Sequence, residues 1–172
     1  MKAAAMNIRP LTPDDAQPLF DMMCALDEET PFMMYEPGER LARTDRSRLE
    51  AQLKGALSGG DFILIAEDKG GEIAGYIWAS RGRMNRVRHT AYIVVGIRKA
   101  HRHQGIGTEF FKRTDEWARE NDLVRLELTV ECENTAAIGL YEKNGFTVEG
   151  KRSKSMKVNG EFVDELYMAK VF

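Results

Sequence analysis

The sequence predicts an α/β (α+β) fold: a mixed, mostly antiparallel sheet of about seven strands, with helices on both faces and a central parallel βαβ crossover. Three observations predict it. Residues 91–97 are rich in β-branched and aromatic side chains, and residues 123–130 alternate apolar with polar, so both read as strands. Between them Ile106, Phe110, Thr114, Trp117 and Ala118 recur at helical spacing, and a helix placed there returns the second strand parallel to the first in a right-handed crossover. Finally, Asn159-Gly160 separates two long strand-like runs, a strong short hairpin signal.

The remaining elements follow in chain order. Residues 7–11 read as the first strand, and Thr12-Pro13-Asp14-Asp15 supplies an N-cap, a proline at the first helical position and acids in the first turn. The helix they start is expected to run to about residue 26. Residues 28–38 hold two prolines, a glycine and the run Phe32-Met33-Met34-Tyr35, which predicts a loop packed over a cleft. A second helix over 43–57 carries Leu49, Leu53 and Leu57 on one stripe. Residues 61–67 and 72–80 read as strands joined through Lys69-Gly70-Gly71. The strand over 89–97 feeds a loop and then a helix over 108–121. Asn134 and Asn144-Gly145 bracket a further helix, and residues 146–158 and 161–171 close the chain as strands.

The loop Ile97-Arg98-Lys99-Ala100-His101-Arg102-His103-Gln104-Gly105-Ile106-Gly107-Thr108 is a strand-to-helix turn, and it reads as a phosphate cradle. Gly105 and Gly107 permit a sharp turn and close approach to a ligand, and the first helical N–H groups point outward with no intrahelical acceptor. The P-loop pattern fails for want of Gly-Lys-Ser/Thr, and the dinucleotide fingerprint fails because Phe110 stands in place of its third glycine. What remains, Arg102-His103-Gln104-Gly105-Ile106-Gly107, resembles the acyl-CoA pyrophosphate loop of the GNAT superfamily of N-acetyltransferases. Downstream, Asn134-Thr135-Ala136-Ala137-Ile138-Gly139-Leu140-Tyr141-Glu142-Lys143-Asn144-Gly145-Phe146 looks like that superfamily's Asn-x-x-Ala-x-x-Leu-Tyr-x-x-x-Gly-Phe segment. The resemblance covers roughly residues 92–146 and implies a GNAT-like sheet, an acetyl-CoA donor and an amine acceptor.

On this resemblance, backbone N–H groups of His103, Gln104, Gly105, Ile106, Gly107 and Thr108 hold the pyrophosphate, with Arg102 adding charge. The strand edge at Val95, Gly96 and Ile97 takes the pantetheine arm, with the Ile97 backbone as its main contact. Tyr141 stands at the position of the general acid for the departing thiolate; packing on its helix with a merely satisfied hydroxyl is the alternative. Asn134 and Ala137 are expected at the cofactor, although capping alone explains an asparagine there, and Lys143 is a further phosphate contact.

The base is less legible. Thr129 occupies the place where N-terminus-acetylating members often carry a glutamate. Glu127 shares its face and is the first candidate, acting through water, against a structurally paired role; Tyr92 is a further one. The acceptor site is expected from Phe32, Met33, Met34 and Tyr35, with Glu28, Glu29 and Glu36 attracting a cation, although such a run also suits a core or dimer contact. Beside the enzyme stands a second reading, a non-catalytic acyl-CoA-binding regulatory module.

Composition narrows the classes. A chain of 172 residues with 43% hydrophobic and 30% charged residues fits one globular domain over 1–172, and no apolar run nears the ~20 residues that span a bilayer. The stretch 1–7 is too short in apolar residues for a signal peptide, which makes a cytoplasmic location the expectation. A net charge of -2 argues against nucleic acid as partner, and Arg81, Arg83, Arg86, Arg88 and His89 read as a solvated hairpin tip at least as well as a binding patch. Cys24 and Cys132 have no metal spacing and no disulfide framework, so no metal is expected. A third reading makes the chain one protomer of a homodimer whose interface uses the C-terminal strands, a state that light scattering decides.

Overall fold

The computed structural model describes residues 6–172, so the signal-peptide reading of the first residues falls largely outside it. Seven strands form one sheet in the order β1-β2-β3-β4-β5-β7-β6. They are β1 (Asn7–Pro10), β2 (Phe62–Glu67), β3 (Ile73–Arg81), β4 (Thr90–Ile97), β5 (Arg125–Glu131), β6 (Thr147–Val158) and β7 (Glu161–Val171). Every neighbouring pair is antiparallel except β4 and β5, which helix α4 (Ile106–Glu120) connects in the expected crossover.

Alternation along the strands sends apolar side chains to two cores. On one face Phe110 and Phe111 of α4 pack with Leu126 and Leu128 of β5, Met168 of β7 and Phe146. Tyr141 of α5 (Thr135–Lys143) joins them, its ring edge-on to Phe111 at 5.7 Å. On the other face Leu19, Phe20, Met23 and Leu26 of α1 (Ala16–Glu29) cover Ile63 and Ile65 of β2, together with Leu49 and Leu53 from α3 (Arg46–Ser58). Helix α1 reaches as far as β4, where Leu26 packs on Gly96.

Local signals account for most boundaries. Asp15 accepts from both Thr12 N (2.8 Å) and Thr12 Oγ1 (3.0 Å), closing a 3-10 turn over Pro13–Asp15 ahead of α1. Asp45 accepts from Arg48 N at 2.9 Å and caps α3, which therefore starts at Arg46 rather than 43. A five-residue helix α2 (Glu39–Arg43) follows Gly38, in the stretch between the expected loop over 28–38 and the expected helix over 43–57. The basic hairpin tip is bonded into the fold: Arg83 pairs with Asp61 at 2.8 Å, and Arg81 donates to the Arg88 and Asn121 carbonyls. Among the described residues no helix is long and apolar enough to cross a membrane, and no group of His, Cys, Asp or Glu side chains is placed to hold a metal.

Candidate active site

The parallel pair that centres the sheet is paired along only part of its length. Thr90, Ala91 and Tyr92 lie beside Arg125, Leu126 and Glu127, and then β4 and β5 part. The hydroxyls of Tyr92 and Thr129 bridge the parting strands at 2.8 Å. Past this bridge opens a cleft of about 910 Å³, lined by β4, the loop after it, the end of β5, α5 and the segment that follows α1.

Ladder geometry decides which backbone groups face the gap. Arg98 N donates to Ala74 O at 2.8 Å and Gly82 N to Thr90 O at 3.0 Å, so Tyr92, Val94 and Gly96 turn their polar groups toward β3. Val95 and Ile97 turn theirs toward the gap, where β5 has left them without a strand partner. The Ile97 carbonyl accepts from Arg102 Nε at 3.1 Å, which folds the arginine across the loop. Gly96 was expected as a backbone contact for a ligand, and its amide faces β3 instead. A Cβ on it would stand 2.5 Å from Leu26 and 3.0 Å from Tyr76, so close packing of α1 on the sheet is what demands glycine there.

The cradle has the geometry of an anion site. His103 (φ 60°) and Gly105 (φ 84°) adopt left-handed backbone, and the first bond of α4 runs from Glu109 N to Gly105 O, leaving Ile106, Gly107 and Thr108 N–H without intrahelical acceptors. A Cβ on Gly105 would meet nothing within 4 Å. Open space in front of converging donors suits a pyrophosphate. Arg102, His103, Gly105 and Thr108 line the cleft, whereas Gln104 donates to the Ala100 carbonyl and Ile106 is buried in the core. Gly107 faces α5 rather than the opening.

From α5, Asn134, Ala137, Tyr141 and Lys143 line the cleft. Asn134 Oδ1 accepts from Ala137 N at 3.2 Å, so it caps the helix and stands at the cleft together. Tyr141 is 7% exposed, and burial pushes its phenol well above the ordinary tyrosine range, so it stays protonated at neutral pH.

Glu127 lies elsewhere. It sits in the stretch where β4 and β5 are still paired, and its Oε2 takes Arg125 Nε at 2.6 Å, while the same arginine forks onto Glu149. It does not line the cleft. Two carboxylates that sequence reasoning passed over do: Glu131 at the end of β5 and Glu165 opposite it on β7. Period-two alternation puts Glu131 on the Glu127–Thr129 face, a signal present in the sequence; only the parting of the strands shows which end of that face opens. Phe32, Met33, Met34 and Tyr35 line the cleft as a wall. Glu28, Glu29 and Glu36 border a smaller groove of about 210 Å³ beside it. Glu29 is occupied: Arg98 Nε and Lys99 N both donate to it at 2.8 Å, and the arginine holds its carboxyl below the usual range.

A parted parallel pair with a phosphate cradle at its mouth and a buried phenol on the next helix agrees with what the comparisons find. The pattern described as the Acetyltransferase (GNAT) family matches residues 18–146, and the chain belongs to that family. A curated relative, the L-amino acid N-acetyltransferase AaaT of Escherichia coli, is 32% identical over 105 residues, 59% of this chain and 63% of that protein. The match thus spans less than two thirds of the relative's length. Among solved structures, an acetyltransferase of GNAT family from Streptococcus pneumoniae superposes with a TM-score of 0.90 at 29% identity, covering 98% of this chain and 100% of that one. The protein yncA from Salmonella typhimurium, solved with its cofactor acetyl-CoA, shares the fold at a TM-score of 0.84 and 22% identity over 97% and 94% of the two chains.

Proposed function

We propose that the chain folds as one domain and transfers an acetyl group from acetyl-CoA directly to a primary amine of a small molecule or peptide. The observation that carries this reading is the placement of Tyr141 in a cleft that also contains the cradle and the unpaired edge of β4. When bound, acetyl-CoA supplies an activated thioester. The N–H groups at the start of α4 hold its pyrophosphate, and the Val95 backbone, turned into the gap, offers a strand-like edge to its amides. Arg102, Lys143 and Asn134 border the same path. Tyr141, kept neutral by burial, donates its proton to the sulfur as the C–S bond breaks.

The acceptor enters on the open face of the sheet, between Trp78 and Tyr92 on one side and the Phe32–Tyr35 segment on the other. The name of the Escherichia coli relative supports an amino acid among the acceptors, and the aromatic and methionine wall suits an apolar side chain. Thiol release from acetyl-CoA tests the reading, run with amino acids, polyamines, aminoglycosides and short peptides. Release with one class supports the transferase and names its acceptor. No release with any of them, while acetyl-CoA binds, overturns it.

A further inference from the structure

Among the described residues, Glu131 is a buried carboxylate for which the mechanism above has no use. Its residue is 6% exposed, it lines the cleft, and its Oε1 has no hydrogen-bond partner. A buried carboxylate oxygen without a partner is costly, so a fold that keeps one at the wall of a cavity holds it for something that arrives. The neighbouring carboxylate is already engaged: Glu165, 6% exposed and opposite Glu131 in the β5–β7 register, accepts from Arg152 Nη1 at 2.9 Å. The cleft's basic side chains are Arg40, held by Asp27 at 2.6 Å, Arg102, held by the Ile97 carbonyl, His103 and Lys143. The nearest hydroxyl from β4, Tyr92, is taken by Thr129. Among the described residues, Glu131 is therefore the cleft carboxylate whose side chain makes no hydrogen bond and no ion pair.

We propose that Glu131 is the catalytic base, receiving the acceptor's ammonium and taking its proton, with the Glu165 carboxylate, pinned by Arg152, facing it from β7. This assignment rests on the acetyl-transfer reading above. The ammonium gives one proton to Glu131; the freed lone pair forms the C–N bond at the thioester carbonyl; the C–S bond breaks and the sulfur takes the proton of Tyr141. The nitrogen, now bonded to the acetyl carbon, loses its second proton, which returns through solvent to the Tyr141 phenolate; product amide and thiol leave, and the proton on Glu131 passes to solvent. Burial, and secondarily the charge of Glu165, raise the Glu131 carboxyl above its ordinary range, toward the pH at which a base works best. Glu131 also lies beyond the Tyr92–Thr129 bridge, whereas Glu127 lies before it and is held by Arg125.

The test compares wild type, Glu131→Gln, Glu131→Asp and Glu165→Gln as full chains, measuring thiol release from acetyl-CoA with L-methionine, L-phenylalanine, spermidine and a short alanyl peptide across pH 5–9. Glu131→Gln is expected to lower kcat/KM by about a hundredfold or more, to abolish the acidic limb of the profile, and to leave acetyl-CoA affinity within about twofold. Glu131→Asp restores part of the activity. Removing the Glu165 charge lowers the Glu131 pKa, so in Glu165→Gln the acidic limb moves to lower pH, a displacement that a merely structural carboxylate would not cause. Wild-type turnover with an unchanged limb in Glu131→Gln overturns the base assignment alone. Absence of wild-type thiol release with every amine overturns the transfer reading, and the base falls with it.

Discussion

Gly107 and Leu140 stand in contact across the junction of α4 and α5: a Cβ built on Gly107 would lie 2.7 Å from Leu140 Cδ2 and 3.1 Å from Cδ1. Gly107 belongs to the cradle, and Leu140 precedes the proposed acid, Tyr141. The close approach of these two helices thus sets the distance between the pyrophosphate end of the cleft and its chemical end.

A methyl group at Gly107 should therefore act through packing. Gly107→Ala gains about 1 kcal/mol of helix propensity but crowds Leu140, and overpacking costs about 1–3 kcal/mol. We expect net destabilisation by about 1 kcal/mol in urea melts. In a Leu140→Ala background the same change should become neutral or stabilising, and a double-mutant cycle reads the coupling. Additive effects would show that the helices have room to spare.

Gly105 behaves oppositely. Its surroundings are open, yet its φ of 84° lies in the left-handed region, where an L side chain costs roughly 1–2 kcal/mol. Gly105→Ala should lose about that much stability and raise the acetyl-CoA Kd about tenfold or more, because the methyl points into the space before the donors. Calorimetry with acetyl-CoA measures this, and unchanged affinity would place the pyrophosphate elsewhere.

Tyr141→Phe removes one oxygen from a well-packed site, since the ring keeps its contacts with Phe111 and Phe146. Turnover should fall about ten- to a thousandfold with acetyl-CoA affinity nearly unchanged. Steady-state kinetics beside equilibrium binding separates the two effects; full turnover in the variant would remove the phenol from the mechanism.

Acid stability should depend on Arg9. It forks onto Asp15 at 2.8 and 2.7 Å and reaches Glu67 at 2.6 Å, and these bonds hold both carboxyls below their usual range. Groups depressed in the folded state add stability above their unfolded pKa of about 4, and that stability is lost as pH falls through the folded values. Arg9→Met should therefore destabilise at neutral pH and flatten the loss of stability below about pH 4. Melting temperatures from pH 2 to 7 would show it, and parallel curves for the two proteins would contradict it.

Much of the fold was legible because its signals are local. Periodicity gave β5 its alternating faces and α4 its apolar stripe, and hydrogen bonds within a few residues marked the ends, as at Thr12–Asp15, at Asn134–Ala137 and in the Asn159-Gly160 turn. The short helix α2 was missed because its five residues bury nothing and leave no apolar pattern. In the candidate site the cradle and the Asn134–Tyr141 helix could be read from spacing, since each is one continuous stretch.

What the sequence determined alone, then, is the order and type of the longer elements, the family, and the two motifs on which the proposed donor site rests. Tertiary structure decided everything that depends on how strands and helices approach one another. Glu127 and Glu131 are equivalent by period, and only the parting of β4 from β5 leaves one paired with Arg125 and the other facing a cavity. Gly107 suggested room for a ligand and Gly96 a backbone contact to one, and at both positions a Cβ would collide with a side chain of a packed helix. The reason is physical: dihedral preference and hydrogen-bond spacing act over a few residues, while burial and clearance are set by segments distant in the chain.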